Sequence, residues 1–457
     1  MVNPSASRPA DQPGALSRCL ASFAAETRWE DIPESVRHEA KRSLLNYFAT
    51  ALGGSNEPAL DKNLAVMQKY SGAQDCGIIG RRERGDMLLA ASSNAMIANI
   101  FDYDDTHPNT IIHPTAPIAP ALFAFAEAEG CSGQSLLRAF ILGGEIECRI
   151  GNAVSPSHYS RGWHITSTCG VFGSAVGIGA LLGLSAEAFV WALGNASAQA
   201  SGLVETLGTD AKSLSMGNAT KNGITSSLLA AEGFAGPAAP LEGRHGFVPV
   251  FSDTQNLIAL SEGLGDAWEI AKNTYKPYPV GVVLNPIVDA CLELHQRGVI
   301  KVEDVLDVEL TGHPLLRQRT DRPDVTTGRS SQVSAQHAIA IVLRRGQASL
   351  EEFNDEAVAE TSRDAIRPDI RFVDDDRYDI EAARVVVRTH QGKTHAIDVT
   401  AAKGGPGNPM TDAGLEDKLV TLAGHCGFDR EVGPIIDAVW ALESTPDAAA
   451  VMRLVTR

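Results

Sequence analysis

Residues 165–184 read ITSTCGVFGSAVGIGALLGL. The stretch carries no charge and is about 20 residues long, enough to cross a bilayer as a helix. Yet glycine and alanine outnumber leucine and isoleucine, and Arg161 is the only basic residue close to either end. Small residues let helix backbones approach closely, so the expected structure is a central helix of a large bundle rather than a membrane span. Residues 223–235 share the composition and the reading.

Working outward, apolar residues recur at helical spacing from about residue 15 to Trp268, with almost no strand signal. Residues 36–52 form an amphipathic run stopped by Gly53-Gly54. Further helices are expected at 86–99, at 116–128 after Pro114, at 133–154 behind Ser132 as N-cap, and at 186–200 behind Ser185. The pattern changes near Ala271. Residues 273–279 (NTYKPYP) break it, and a helix is expected at about 285–298. Residues 302–311 alternate as a strand, and 334–345 and 350–357 return to helical spacing. Residues 381–400 read as a β-hairpin turning at Gln391-Gly392. After the loop at 403–409, helices resume at 415–424 and 430–442. The expected fold is mainly α: a helical domain from 15–269 and 404–457, with an α+β domain inserted at 270–403.

Among 457 residues, 44% are apolar and 21% charged, which is ordinary globular composition. The formal net charge of -17 is diffuse, which disfavours nucleic acid or an anionic membrane as partner. The seven cysteines include no C-x-x-C pair, which argues against a disulfide framework, structural zinc or an iron–sulfur motif, and fits a reducing, cytoplasmic setting. Residues 1–14 are polar and proline-rich, a leader without the apolar core of a signal peptide. Phosphate-loop, dinucleotide-binding and nucleophile-elbow motifs are absent.

The densest polar cluster is 101–113, FDYDDTHPNTIIH, with three acids, Thr106 and two histidines. It reads as a set of acid–base groups at a helix end, as a capped solvated loop, or as ligands for a divalent ion. His164 opens the small-residue helix, where the helix dipole favours a neutral, proton-accepting ring; a structural histidine is the bland alternative. Lys212 and Lys221 lie in 208–223 (GTDAKSLSMGNATKNG), a polar island between small-residue helices, and Lys276 lies in the breaker segment. Each lysine is a surface group or a carboxylate anchor.

Five segments in order resemble the MmgE/PrpD family: DYDDTHPNTIIHPTAP (102–117), GWH with its glycine-rich helix, KSLSMGNATKNG (212–223), KPYP (276–279) and GGPGNPMTDAGLEDK (404–418). The resemblance spans about 15–445. It implies a helical domain from both chain ends, a smaller α+β lid, homodimers, and an active site between the domains. It carries catalytic roles to His113 and His164 as acid and base, with Asp102 and Thr106 orienting neighbours. Lys212 and Lys276 would hold substrate carboxylates, with His337 as a further substrate contact. Proton abstraction next to a carboxylate needs a base and stabilisation of the enediolate, which such a set supplies without a cofactor or metal. Two positions depart from the pattern. Many members carry a histidine nine residues after the lysine, where Asn285 stands, and the decarboxylases carry a tyrosine where His337 follows Gln336. The expected function is a cofactor-free lyase that dehydrates a small di- or tricarboxylate, as 2-methylcitrate dehydratase does. The alternatives are a dicarboxylate epimerase of the iminodisuccinate type and a metal-dependent hydrolase built on Asp102 and His113.

Overall fold

The structure, a computed structural model, describes residues 14–364 and 366–457. The leader read at 1–14 therefore lies outside the described residues except for Gly14. The chain divides into two compact units. Residues 14–100, 104–273 and 412–457 form a helical unit; 101–103 and 274–411 form a smaller one.

Side-chain caps set several helix starts in the first unit. The Asp86 carboxylate accepts from Leu89 N at 2.9 Å ahead of helix Met87–Ala98. Ser132 and Ser185 do the same for Gly133–Val154 and Ala186–Ser197. Each cap satisfies a backbone N–H that has no partner inside its helix. Helix Ile165–Leu182 is almost wholly buried and packs against Thr115–Glu129, Gly133–Val154, Ala186–Ser197 and Asp210–Ala231. It meets length and hydropathy criteria for a membrane span, but its surface is covered by neighbouring helices of its own unit. Glycine makes that packing possible. A Cβ on Gly173 would sit 2.4 Å from Glu147 Oε2, and one on Gly223 would sit 2.4 Å from Ser174 Cβ.

One expectation in this unit fails. Residues 208–223 are not an island between helices, because Asp210–Ala231 is a single helix. Its serines and threonines return hydroxyl bonds to backbone carbonyls, as Thr220 does to Met216 O and Ser226 to Asn222 O. These hydroxyls are thus satisfied within the helix and leave it intact.

The smaller unit holds a four-stranded sheet in the order Asp369–Asp374, Val305–Gly312, Ala383–Thr389, Thr394–Val399. The last two strands form the expected hairpin, with Gly392 in the left-handed region at φ 77°. The edge strand Asp369–Asp374 went unread, and it pairs parallel to Val305–Gly312. It lies at the sheet edge and is only partly buried, with Ile370 and Phe372 packed against the core. Val308, Leu310, Val385, Val387 and Ile397 form the sheet's share of the core. Helices Asn285–Gln296 and Ala335–Arg345 supply Ile287, Cys291, Ile339 and Leu343 to the same core. Burying each such aliphatic side chain is worth about 1.5–3 kcal/mol. The smaller unit ends at Thr411 rather than at 403, because Ala402 N donates to Glu381 O and Lys403 N to Asp289 Oδ2 at 2.7 Å, which ties the glycine-rich loop to this unit.

Candidate active site

The stretch 101–113 is divided between the units. In the smaller one, Asp102 takes a left-handed backbone, φ 53°, and the Lys276 ammonium donates to its carbonyl oxygen at 2.6 Å and to Oδ2 at 2.5 Å. Tyr103 Oη donates to Pro277 O at 2.8 Å. The KPYP segment is thereby clamped to the start of the acidic motif, with Lys276 only 5% exposed.

The rest of the motif belongs to the helical unit and folds back on itself. His107 N donates to Ile112 O at 2.7 Å, and the His107 ring lies between Thr110 Oγ1 at 2.8 Å and Glu269 Oε2 at 3.1 Å. The His107 bond first, and Lys272 next among the lowering causes, bring the Glu269 carboxyl down to about 2 against a desolvation penalty. Both nitrogens of His107 are engaged, so it is a structural member of the cluster.

Asp105 is the anchor of this loop. Its Oδ2 accepts from Thr115 N at 3.2 Å, from the Thr115 hydroxyl, and from Asn273 Nδ2 at 2.6 Å. Burial first, and the neighbouring Asp104 charge second, push its carboxyl upward. Its carbonyl oxygen lies 2.7 Å from His113 Nδ1, and Asp104 Oδ1 is 3.1 Å from the same nitrogen. Thr106 is buried beside Asp105. His113 N donates to Thr166 Oγ1 at 3.2 Å, which joins the loop to the first turn of helix Ile165–Leu182.

His164 is the N-cap residue of that helix, buried, with its N donating to Gly202 O at 3.0 Å. Its Nδ1 is 2.5 Å from Ser167 Oγ, and Ser167 Oγ is 3.0 Å from Ser215 Oγ. Ser215 lies one turn beyond Lys212, which is 3% exposed near the start of helix Asp210–Ala231. The backbone N of His113, the ring of His164 and, through Ser167 and Ser215, the backbone carbonyl of Lys212 are thus tied to the first turn of one helix, whose N-terminal N–H groups and dipole favour an anion.

His337 does not match its expected role. It is fully buried in the smaller unit, with Nδ1 3.1 Å from Thr361 Oγ1 and Nε2 2.8 Å from Glu352 O, and its ring lies edge-on to Phe353. Burial brings the ring down to about 4, so at neutral pH it is an uncharged packing residue rather than a carboxylate contact. Asn285 opens helix Asn285–Gln296, and its buried Oδ1 has no hydrogen-bond partner among the described residues.

Asp102, Asp104 and His113 carry the ligand types a divalent ion takes. The Lys276 ammonium already supplies Asp102 with a positive partner, and His113 Nδ1 is turned to a carbonyl. Sequence reasoning missed Ser167, Ser215, Asn273 and Asp105 as organisers. Ser167 lies one turn after His164, Asp105 in the polar cluster 101–113, Ser215 in 212–223 and Asn273 in 273–279, but nothing local marks them out within those segments.

Fold and site define a two-unit, mainly helical protein with a buried acid–base set at a helix start. Residues 18–258 match the MmgE/PrpD N-terminal domain and 278–442 the MmgE/PrpD C-terminal domain, and the chain belongs to this family. It is 26% identical to a cis-aconitate decarboxylase-like protein of Aspergillus oryzae, over 97% of this chain and 98% of that one. A cis-aconitate decarboxylase of Aspergillus terreus is also 26% identical, over 95% and 94%. The cis-aconitate decarboxylase of Homo sapiens is 25% identical, over 93% and 91%.

Proposed function

We propose that the chain is a lyase acting on a small tricarboxylate of the citrate or aconitate type by proton transfer at a carbon next to a carboxylate. The attachment of the His113 backbone, the His164 ring and the backbone of buried Lys212 to the first turn of one helix supports the reading. One ring takes or returns the proton at carbon. The lysine and the helix N-terminus hold the carboxylate on which charge develops.

In dehydration, the base removes the proton next to the carboxylate and the hydroxyl departs as water with a proton from the acid. In decarboxylation, the carbon–carboxylate bond breaks to release carbon dioxide and the carbon takes the acid's proton. The whole-length similarity to proteins named cis-aconitate decarboxylases supports the second. His337, where the resemblance leads one to expect the tyrosine of the decarboxylases, counts against the second.

Proton NMR in deuterated buffer with a panel of citrate-like, aconitate-like and amino-dicarboxylate compounds tests the proposal. Loss of a carboxyl with deuterium uptake identifies a decarboxylase, and alkene formation or hydration identifies a dehydratase. Exchange with inversion and no bond cleavage would replace the lyase reading with an epimerase.

A further inference from the structure

His164, Ser167, Ser215 and the Lys212 carbonyl form an unbroken line of polar atoms inside the helical unit, and its far end determines the direction of every bond in it. Ser215 Oγ lies 2.7 Å from Lys212 O. A backbone carbonyl only accepts, so the single hydroxyl hydrogen of Ser215 is spent there. Ser215 Oγ then meets Ser167 Oγ, 3.0 Å away, as an acceptor, and the Ser167 hydrogen points to it. With that hydrogen spent, Ser167 Oγ accepts from His164 Nδ1 at 2.5 Å. The proton of the neutral imidazole is therefore on Nδ1, and the lone pair is on Nε2.

The opposite tautomer makes Ser167 donate to Nδ1, which leaves its contact with Ser215 to be made by the Ser215 hydrogen. The 2.7 Å bond to Lys212 O is then lost. Gly202 closes the line from the side: a Cβ there would lie 2.4 Å from Ser167 Oγ.

We infer that Ser167 and Ser215 are positioning residues that hold His164 with its proton on Nδ1 and so present Nε2 as the base. The direction of the line is unchanged when Nε2 takes a proton, since Nδ1–H donates in both states. Proton uptake at Nε2 thus requires no rearrangement of the hydroxyls, which is the preorganisation that lowers a barrier. The kinetic part of the inference rests on the lyase reading; the tautomer does not.

The test combines histidine-selective ¹⁵N labelling of the whole protein, the His164 ring assigned by its loss in His164→Gln, with kinetics of Ser215→Ala, Ser215→Thr, Ser167→Ala and the double variant Ser167→Ala/Ser215→Ala. The wild type should show protonated Nδ1 and unprotonated Nε2 on His164. Ser215→Ala should move the tautomer toward Nε2–H and lower kcat about tenfold with KM unchanged, and Ser215→Thr, which keeps the hydroxyl, should restore both. Because Ser215 acts through Ser167, adding Ser215→Ala to Ser167→Ala should cost nothing further. An Nε2–H ring in the wild type, or a tautomer that Ser215→Ala does not move, overturns the inference. The expected tautomer and its shift, without turnover of any carboxylate in the panel, support the relay and count against the lyase reading.

Discussion

His113 and Asp105 are joined through the backbone: the ring Nδ1 of the histidine lies 2.7 Å from the carbonyl oxygen of the aspartate. A carbonyl cannot donate, so Nδ1 carries the proton and Nε2 of the neutral ring carries the lone pair. The Asp104 carboxylate lies 3.1 Å from the same nitrogen. A proton exchanged by this ring would pass through Nε2 while Nδ1 stays held. Replacing His113 with Ala should lower kcat about 10²–10⁴-fold, the usual worth of a positioned acid or base. Turnover in the carboxylate panel, or deuterium exchange next to the carboxylate, measures it; unchanged turnover would remove His113 from the mechanism.

The loop that delivers His113 carries backbone strain. Ile111 has φ 58°, a conformation in which a β-branched side chain crowds its own backbone, at about 1–2 kcal/mol. Its side chain is 36% exposed, so its packing is incomplete. Ile111→Asn, which tolerates the conformation, should stabilise the fold by up to about 1 kcal/mol in urea unfolding. A loss of stability would mean that side-chain contacts outweigh the strain.

Glu147 should make the protein less stable as pH rises. It is fully buried on helix Gly133–Val154, and neither carboxyl oxygen has a hydrogen-bond partner among the described residues. Burial first, and the Asp105 charge second, hold its carboxyl well above the ordinary 4.5. Above that ordinary value the unfolded chain releases a proton that the folded chain keeps. The stability from the neutral form is complete below 4.5 and declines as pH rises toward the folded value. Glu147→Gln keeps the shape without the proton, so its Tm should exceed the wild type's at pH 8 and the two should converge near pH 4. A gap that does not change with pH would show that Glu147 does not titrate in this way.

Acid should act in the opposite sense through His158 and His337. Burial lowers both rings to about 4 from 6.5, and in each both nitrogens have hydrogen-bond partners. The unfolded chain takes up protons below 6.5 that the folded chain refuses until about 4, so stability falls as pH drops through that window. Each ring contributes a slope of at most about 1.4 kcal/mol per pH unit. His337→Asn should destabilise the protein at pH 7 yet reduce the slope between pH 6.5 and 4 in denaturant unfolding. An unchanged slope would place the acid sensitivity elsewhere.

Much of the fold and part of the site were legible in the chain itself. Helix periodicity and caps such as Ser132 and Ser185 are local, so Gly133–Val154 and Ala186–Ser197 could be read directly, as could the hairpin around Gly392. The motif 101–113, His164 and Lys212 stood out because acid–base groups beside apolar helices are costly unless they are used. What remained hidden depends on partners distant in sequence. The helical state of Asp210–Ala231, read as a polar island, follows from hydroxyls that bond their own backbone and from burial against Ile165–Leu182. His337 looked like a substrate contact until Thr361, Glu352 and Phe353 closed around it. The residue types and the helices that carry them are determined by the sequence alone, because propensity and periodicity act over a few neighbours. Which nitrogen of His164 and His113 holds the proton was decided only by the tertiary structure, because a tautomer is selected by acceptors that folding brings within 3 Å.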